Sequence, residues 1–426
     1  MIADPQYSRA YVWTWLPGHT QPVVAGLVTP NDRQLLFQYG RSYLARKDAI
    51  PLYEPELPLN SGVRPLSNGL YIPNCIRDAA PDAWGRRVIL NRKFGARGKD
   101  IDPGDIDELT FLLESGSDRI GALDFQATSS DYLAREGQGV SLEELSNAAA
   151  LVDKGMPLTP ELNYASFDGS SIGGARPKAT ITSDDAKFIA KFCSATDLYN
   201  VVKAEFIAMR LASKVGLTVA PVRMEKTTGQ DVLLIRRFDR EKDENGWLRK
   251  AMVSALTLLE LDELMARYAS YETLAAIIRH RFDTPSETLR ELFSRMLFNV
   301  LCGNTDDHAR NHAAFCTGKR LSLTPAYDIC PQNRSGGEAT QAMFIQGQDR
   351  RSQIAVCLNA APMFLLSEID ALDIAVKQIK TIKEQWSYVC HEAQLSQVDR
   401  HLLWRRQFLH PFAFVGAPEA IINLVE

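Results

Sequence analysis

Residues 303–312 read GNTDDHARNH, one position after the apolar run LFNVL at 297–301. A helix of apolar residues that opens onto two aspartates, two histidines, two asparagines and an arginine is unusual for a plain surface loop. Asp306 and Asn311 are five positions apart, and Asp328 follows Asn311 by seventeen, at the expected end of a short strand in LSLTPAYDIC. A carboxylate, an amide oxygen and a second carboxylate are hard oxygen donors. They suit Mg²⁺, which prefers such ligands and keeps several waters. Asn311 and Asp328 are the expected metal ligands. Asp306 is placed to accept the proton of an attacking hydroxyl, as in the Asp-then-Asn loop of phosphotransferases. His308 is expected to orient that loop by hydrogen bonding.

Phosphate chemistry also needs a loop that lets the backbone approach an anion. FDGSSIGGARPKA at 167–179 is the one glycine- and serine-rich turn that precedes a strand. Gly173 and Gly174 allow close approach, and the stretch lacks the GxxxxGK[ST] spacing of a Walker loop. Lys191 in FIAKF lies amid apolar residues of a β-rich stretch, and Glu205 lies on the helix that follows. A strand lysine held by a helix glutamate is positioned for the α- and β-phosphates. Glycine loop, strand lysine, helix glutamate, sheet, helical region, catalytic loop and strand-end aspartate then come in protein-kinase-like order.

Plainer readings compete with each of these. Asp306 can cap a helix beginning at Asp307, Lys191 can be a snorkelling strand lysine, and Glu205 can be a solvated helix residue. His308 and His312 stand i, i+4, the spacing of a zinc pair, but no HExxH glutamate lies between them. Ser170 and Ser171 can simply form a turn. The IRRFDR stretch at 235–240 reads as a salt-bridge cluster at a strand end rather than a nucleic-acid patch.

A chain of 426 residues exceeds one simple core. A net charge of -4 argues against a surface built wholly to grip nucleic acid. Seven scattered cysteines without a CxxC pair point to a reducing compartment. With no basic segment before an apolar stretch at the start and no run near ~18 apolar residues, the expected location is the cytoplasm, away from membranes. Three segments are expected: an α+β unit over 1–120, a sheet with the glycine loop and the ATP lysine over 121–253, and a helical lobe over 254–426. Within them, helices are expected in PDAWGRRVILNRKFG, in DIDELTFLLESG with Gly116 as its stop, in YNVVKAEFIAMRLASKVG with Gly216 as its cap, and in ALTLLELDELMARY. KATITSDDAKFIAKFC reads as two strands about a turn at Ser183–Asp185.

Taken together, SSIGGARPKA, FIAKF, LLIRRFDR, GNTDDHARNH and LTPAYDICP resemble the HipA family of serine/threonine kinase toxins. AWGRRVILNR and SGSDRIGALDF resemble that family's N-terminal subdomain, so the resemblance runs over roughly residues 8–400. It implies an α+β, protein-kinase-like two-lobed fold with an extra N-terminal α+β subdomain and a helical C-terminal lobe. It implies transfer of the ATP γ-phosphoryl group, with Mg²⁺, to serine of a protein, an aminoacyl-tRNA synthetase in family members. It implies a helix-turn-helix antitoxin of the HipB type as partner, with DNA bound only through that antitoxin. By motif, Asp306 is the implied catalytic residue, with Asn311 and Asp328 on the metal. Lys191 and the loop Gly173, Gly174, Ala175, Arg176 and Lys178 are implied at the phosphates, and Met252, Val253 and Ser254 at the adenine. Ser171 matches the family's autophosphorylated serine, with Ser170 adjacent. A small-molecule phosphotransferase and an inactive antitoxin-binding corepressor are the rival readings.

Overall fold

A computed structural model describes residues 7–66, 69–137, 140–227, 229–317, 320–334 and 336–425. The chain divides into two compact units, the first formed by residues 1–197, 225–253 and 316–319, the second by 198–224, 254–315 and 320–426.

The first unit contains two four-stranded sheets. One has the order β3-β2-β1-β4, from β1 (Ala10–Thr14), β2 (Val23–Asn31), β3 (Gln34–Tyr39) and β4 (Leu123–Gln126). All three of its pairings are antiparallel, with a register shift between Val12 and Trp13. The second has the order β5-β6-β8-β7, from β5 (Lys178–Thr182), β6 (Lys187–Phe192), β7 (Val222–Thr227) and β8 (Gln230–Arg236). In β7 the chain passes from the second unit back to the first. The β5–β6 turn is held where expected, by Ser183 N–H on the Ala186 carbonyl at 2.8 Å.

The helix Ala83–Phe94 joins the core of the second sheet: Trp84 and Val88 pack with Leu145 and Val152, and with Phe188, Phe192 and Val232 of the strands. Gly85 is in that helix despite a cost of about 1 kcal/mol relative to alanine, because a Cβ there would lie 2.5 Å from the Ser170 carbonyl oxygen. The helix Glu108–Glu114 stops at Ser115. Gly116 is therefore not a left-handed cap; it is small because a Cβ would lie 2.3 Å from the Phe167 carbonyl oxygen.

In the second unit the longest helices are Val201–Val215, Tyr271–Arg281, Pro285–Cys302 and Glu368–Glu392. Pro285 begins the third of these, where its missing N–H costs nothing. Leu289, Leu292, Phe293, Met296, Leu297 and Val300 then bury its apolar stripe. Gly303 ends it in left-handed backbone (φ 73°) and sits so close to Gln407 that a Cβ would approach that residue's carbonyl oxygen to 2.7 Å. Gly216 caps Val201–Val215 in the same way. The helix expected from Ala255 ends at Leu258, and Glu260 follows in left-handed backbone. Among the described residues no helix is long and apolar enough to cross a membrane.

Candidate active site

In the second unit, the turn at Gly303 launches a loop that stays close to the end of its helix. Asn304 N–H returns to the Asn299 carbonyl at 2.9 Å, and Ala342 N–H fixes the Thr305 carbonyl at 3.0 Å. His308 N–H donates to the Asp306 carbonyl at 2.8 Å, and Asn311 N–H to the His308 carbonyl at 2.9 Å. A single 3-10 turn, Ala309–Asn311, is all the helix that forms here, and Asp306 does not cap it. The helix-cap reading of Asp306 is thereby excluded.

Asp306 reaches solvent, whereas Asp307 is 2% exposed. Asp307 accepts hydrogen bonds from the Tyr271 hydroxyl and from Asn299 Nδ2, the latter at 2.7 Å, and His312 Nε2 lies 3.1 Å away. His312 is thus engaged with Asp307 and packs edge-on against Tyr271, which places it away from a zinc pair with His308. His308 is partly buried, and among the described residues its Nδ1 has no hydrogen-bond partner.

Asp328 lies five residues beyond the strand Arg320–Leu323, not at its end. It is fixed by the bridge of Val219 to Ala326, by Asn304 Nδ2 on its own carbonyl at 3.4 Å, and by Tyr327 Oη on the Arg310 carbonyl at 2.6 Å. Its φ is +57°, left-handed backbone that aspartate tolerates better than most residues. Asp328 and Asp306 are near enough to interact. Packing around the Asp306 carboxyl raises its pKa, His308 opposes the rise, and the Asp328 carboxylate adds to it. Asn311 Nδ2 donates to the Asp306 carbonyl at 3.2 Å, which commits its amide nitrogen. Two carboxylates that interact and an amide oxygen are hard-oxygen donors, and the repulsion between the carboxylates is what a divalent cation offsets. The donors present therefore fit Mg²⁺.

The remaining predicted residues of this unit are Glu205 and Ser254. Glu205, on Val201–Val215, is 1% exposed, which excludes the solvated-residue reading. Ser254 accepts from Thr257 N–H at 3.3 Å as a helix cap. Met252 and Val253, in the strand that Ser254 ends, belong to the first unit.

In the first unit, the glycine loop docks on the start of Ala83–Phe94. Gly174 N–H donates to the Asp82 carboxylate at 2.7 Å, and Trp84 N–H to the Gly174 carbonyl at 3.0 Å. Gly174 has a φ of +102°. Arg87 reaches the Ala175 carbonyl at 2.5 Å, and Arg176 pairs with Asp197 through both terminal nitrogens. Lys178 Nζ donates to the Gly173 carbonyl at 2.6 Å. Lys178 and Lys191 are direct partners across β5 and β6, 6% and 7% exposed.

Ser170 and Ser171 are both buried. Ser170 Oγ accepts from Gly116 N–H at 3.0 Å and donates to the Phe167 carbonyl at 3.1 Å, and Ser171 Oγ donates to the Asp118 carbonyl at 3.3 Å. Asp118 is the hub of a buried ionic network with Lys187, Arg237 and Arg240, each at 3.0 Å. Although burial opposes it, those cations hold the Asp118 carboxyl well below the usual carboxylate range. IRRFDR is therefore a salt-bridge cluster, as its plainer reading had it. Asp307 is the residue the sequence reading did not single out for a role. Asn299, Tyr271 and His312 define it, and of these only His312 lies in the same motif.

The chain is similar to several known proteins. The HipA-like C-terminal domain family matches residues 170–392, and the HipA N-terminal domain family matches residues 19–126. The serine/threonine-protein kinase toxin HipA of Shewanella oneidensis is 27% identical over 190 residues, 37% of this chain and 42% of that protein. The Y4mE protein of Sinorhizobium fredii is 26% identical over 130 residues, 29% of this chain and 31% of that protein. The chain thus aligns with less than half the length of either relative. In structure it is similar to HipA in the S. oneidensis complex of HipA, HipB and operator DNA, with a TM-score of 0.63 and 18% identity, over 97% of this chain and 99% of that one. The fold is accordingly a kinase-like α+β fold, and with more than half of its residues matched by the C-terminal domain family alone, the chain belongs to the HipA family.

Proposed function

We propose that this chain is an ATP-dependent protein kinase that transfers the γ-phosphoryl group to a serine hydroxyl. The observation that carries the reading is the Asp306–Asp328 carboxylate pair with the Asn311 amide in one loop system at the end of a buried helix. Asp306 is the base: it reaches solvent, and its raised pKa makes it a better acceptor for the proton of an incoming serine Oγ. Asn311, its amide nitrogen bound to the Asp306 carbonyl, and Asp328 would hold Mg²⁺ through their oxygens. When bound, the ion would neutralise phosphate charge. Asn299 and Tyr271 hold the loop through Asp307, so that Asp306 meets its substrate in a fixed orientation. Lys178, Lys191 and the Gly173–Gly174 backbone are the proposed phosphate contacts, with Glu205 assigned to orient Lys191 and Met252–Ser254 assigned to the adenine.

The similarity to a HipA bound to HipB and operator DNA supports an antitoxin of the HipB type as partner. On this reading DNA is reached only through that antitoxin, the target is a cytoplasmic protein of the aminoacyl-tRNA synthetase class, and Ser171 or Ser170 is a site of autophosphorylation. The test is intact-mass and peptide mass spectrometry after incubation with Mg·ATP, alone and with a candidate acceptor, beside Asp306→Asn. Phosphoryl transfer by wild type alone is expected. Equal transfer by both proteins would discard the assignment. Transfer to small molecules but to no protein would favour the rival phosphotransferase.

A further inference from the structure

Arg334 lies six residues beyond Asp328. Its segment is brought to the catalytic-loop turn by Gln332 N–H, which donates to the Gly303 carbonyl at 3.0 Å. Residues 403–410 reach the same turn independently: the Gln407 backbone abuts Gly303, and Leu409 N–H donates to the Leu301 carbonyl at 2.7 Å. Arg334, Arg405 and His410 therefore gather beside one turn.

These cations are left uncompensated. Arg334 is half-buried, and its Nε and one terminal nitrogen are enclosed without a hydrogen-bond partner among the described residues. Among the described residues neither Arg334 nor Arg405 has a carboxylate partner. Burial alone acts on the Arg334 guanidinium, lowering its pKa, and after burial the groups that act on His410 are Arg334 and Arg405. His410 Nδ1 accepts from Phe412 N–H at 3.1 Å, so the ring proton is on Nε2, which remains a donor. Arg405 is held in left-handed backbone (φ 63°), with its N–H on the Phe408 carbonyl at 2.9 Å. Such backbone is retained where the surroundings dictate it.

Burying an arginine without an acceptor is costly, and Arg334 bears that cost beside a second arginine and an imidazole N–H. We propose that Arg334, Arg405 and His410 form a binding site for a phosphate monoester dianion. The free Nε and terminal nitrogen of Arg334 are the two parallel donors that grip adjacent oxygens of an oxyanion. Two full positive charges and a third donor match a dianion; a single carboxylate would leave one cation unneutralised. The proposal does not depend on the kinase reading.

Inorganic phosphate is titrated into the full chain without Mg²⁺ or nucleotide, at constant ionic strength. Thermal unfolding and the histidine ring resonances are followed. Phosphate is expected to raise the Tm and to shift the His410 signals. Arg334→Gln and Arg405→Gln should each weaken the response by about tenfold or more, the loss of a charge-assisted pair of hydrogen bonds. O-phosphoserine should compete with phosphate, and serine should not; phosphate binding without phosphoserine binding would refute a monoester site. An unchanged response in Arg334→Gln overturns the proposal, as does a response lost in Lys191→Met but kept in Arg334→Gln. Should Arg334→Gln fail to fold, the same reading is taken from Arg405→Gln.

Discussion

The side-chain amide of Asn299 donates to Asp307 at 2.7 Å, tying the last turns of a buried helix to the loop they launch. The Tyr271 hydroxyl and His312 converge on the same carboxylate, while its neighbour Asp306 makes none of these contacts and faces solvent. Adjacent aspartates therefore divide two tasks, one holding the loop and the other free to react. Asp307→Ala strands three buried polar partners and should cost about 3–5 kcal/mol, as breaking a buried charged network does. Asp306→Asn should change stability by less than about 0.5 kcal/mol while abolishing phosphoryl transfer. Denaturant melts of both variants beside a transfer assay decide it; equal destabilisation by the two would refute the division.

Asp328 supplies a backbone conformation as well as a carboxylate. At φ +57° an asparagine replaces it with little strain, whereas alanine pays about 1–2 kcal/mol for left-handed backbone. Both Asp328→Asn and Asp328→Ala should lose transfer, but only the alanine variant should also lose that stability. Indistinguishable melting curves would show that the φ carries no cost.

On the kinase reading Asp306 acts in its ionised form, and its pKa is raised by desolvation first and by Asp328, with His308 pulling it down. The acidic limb of kcat/KM should therefore lie higher than an unperturbed aspartate would place it. Removing the opposing influence with His308→Gln should move that limb to still higher pH. A limb that stays in place in His308→Gln would remove His308 from the electrostatics of the site.

Several parts of this architecture were legible in the sequence, for identifiable reasons. Gly303 and Gly216 sit where a helix pattern stops, and both are left-handed caps. The β5–β6 pair follows from alternating apolar residues around a Ser-Asp-Asp turn. Other features depend on partners distant in sequence. Nothing near Gly85 announces that Ser170 will approach it, and nothing near Asp307 announces Tyr271. Asp328 reads as a strand end because LSLTPAY looks β-rich, yet the regular strand ends at Leu323, and beyond it only an isolated bridge of Ala326 to Val219 forms. The hairpin of Arg240–Asp243 with Gly246–Arg249 did carry a local sign, the dipeptide Asn245-Gly246, whose asparagine lies in the turn and whose glycine opens the second strand at φ 138°. The charged residues around that pair masked its strand character.

Asp168 gives a pH dependence of stability. Burial first, then Asp118 and Glu136, raise its carboxyl from 3.8 to about 7, against the Gly137 N–H and Lys187. Between those values the folded chain holds a proton that the unfolded chain has released. The contribution is thus complete below about pH 4 and is lost as the pH rises through about 7, the whole loss amounting to about a few kcal/mol at most. Asp168→Asn, which keeps an acceptor for Gly137 N–H, should match wild type near pH 4 and exceed it above pH 7. Parallel stability profiles for the two proteins would place the Asp168 titration elsewhere.

Ser171 is 2% exposed, with its hydroxyl on the Asp118 carbonyl, which also accepts from Arg237 at 2.9 Å. A phosphate there brings roughly -1.5 to -2 of charge into a space that holds a hydroxyl, so the modified segment has to leave its packing. Leaving also undoes the Ser170 bond to Gly116 and disturbs the loop that Asp82 and Trp84 hold at Gly174. On the kinase reading, the same displacement removes the backbone that approaches ATP. Ser171→Asp should therefore weaken ATP binding and raise amide hydrogen exchange across 167–179. Ser171→Ala, which loses one hydrogen bond worth about 1 kcal/mol, should leave both near wild type. Calorimetry with ATP and exchange mass spectrometry read the two effects separately. Raised exchange with unchanged ATP affinity would show that the loop moves without serving the nucleotide, and unchanged exchange would show that the buried site accommodates the charge in place.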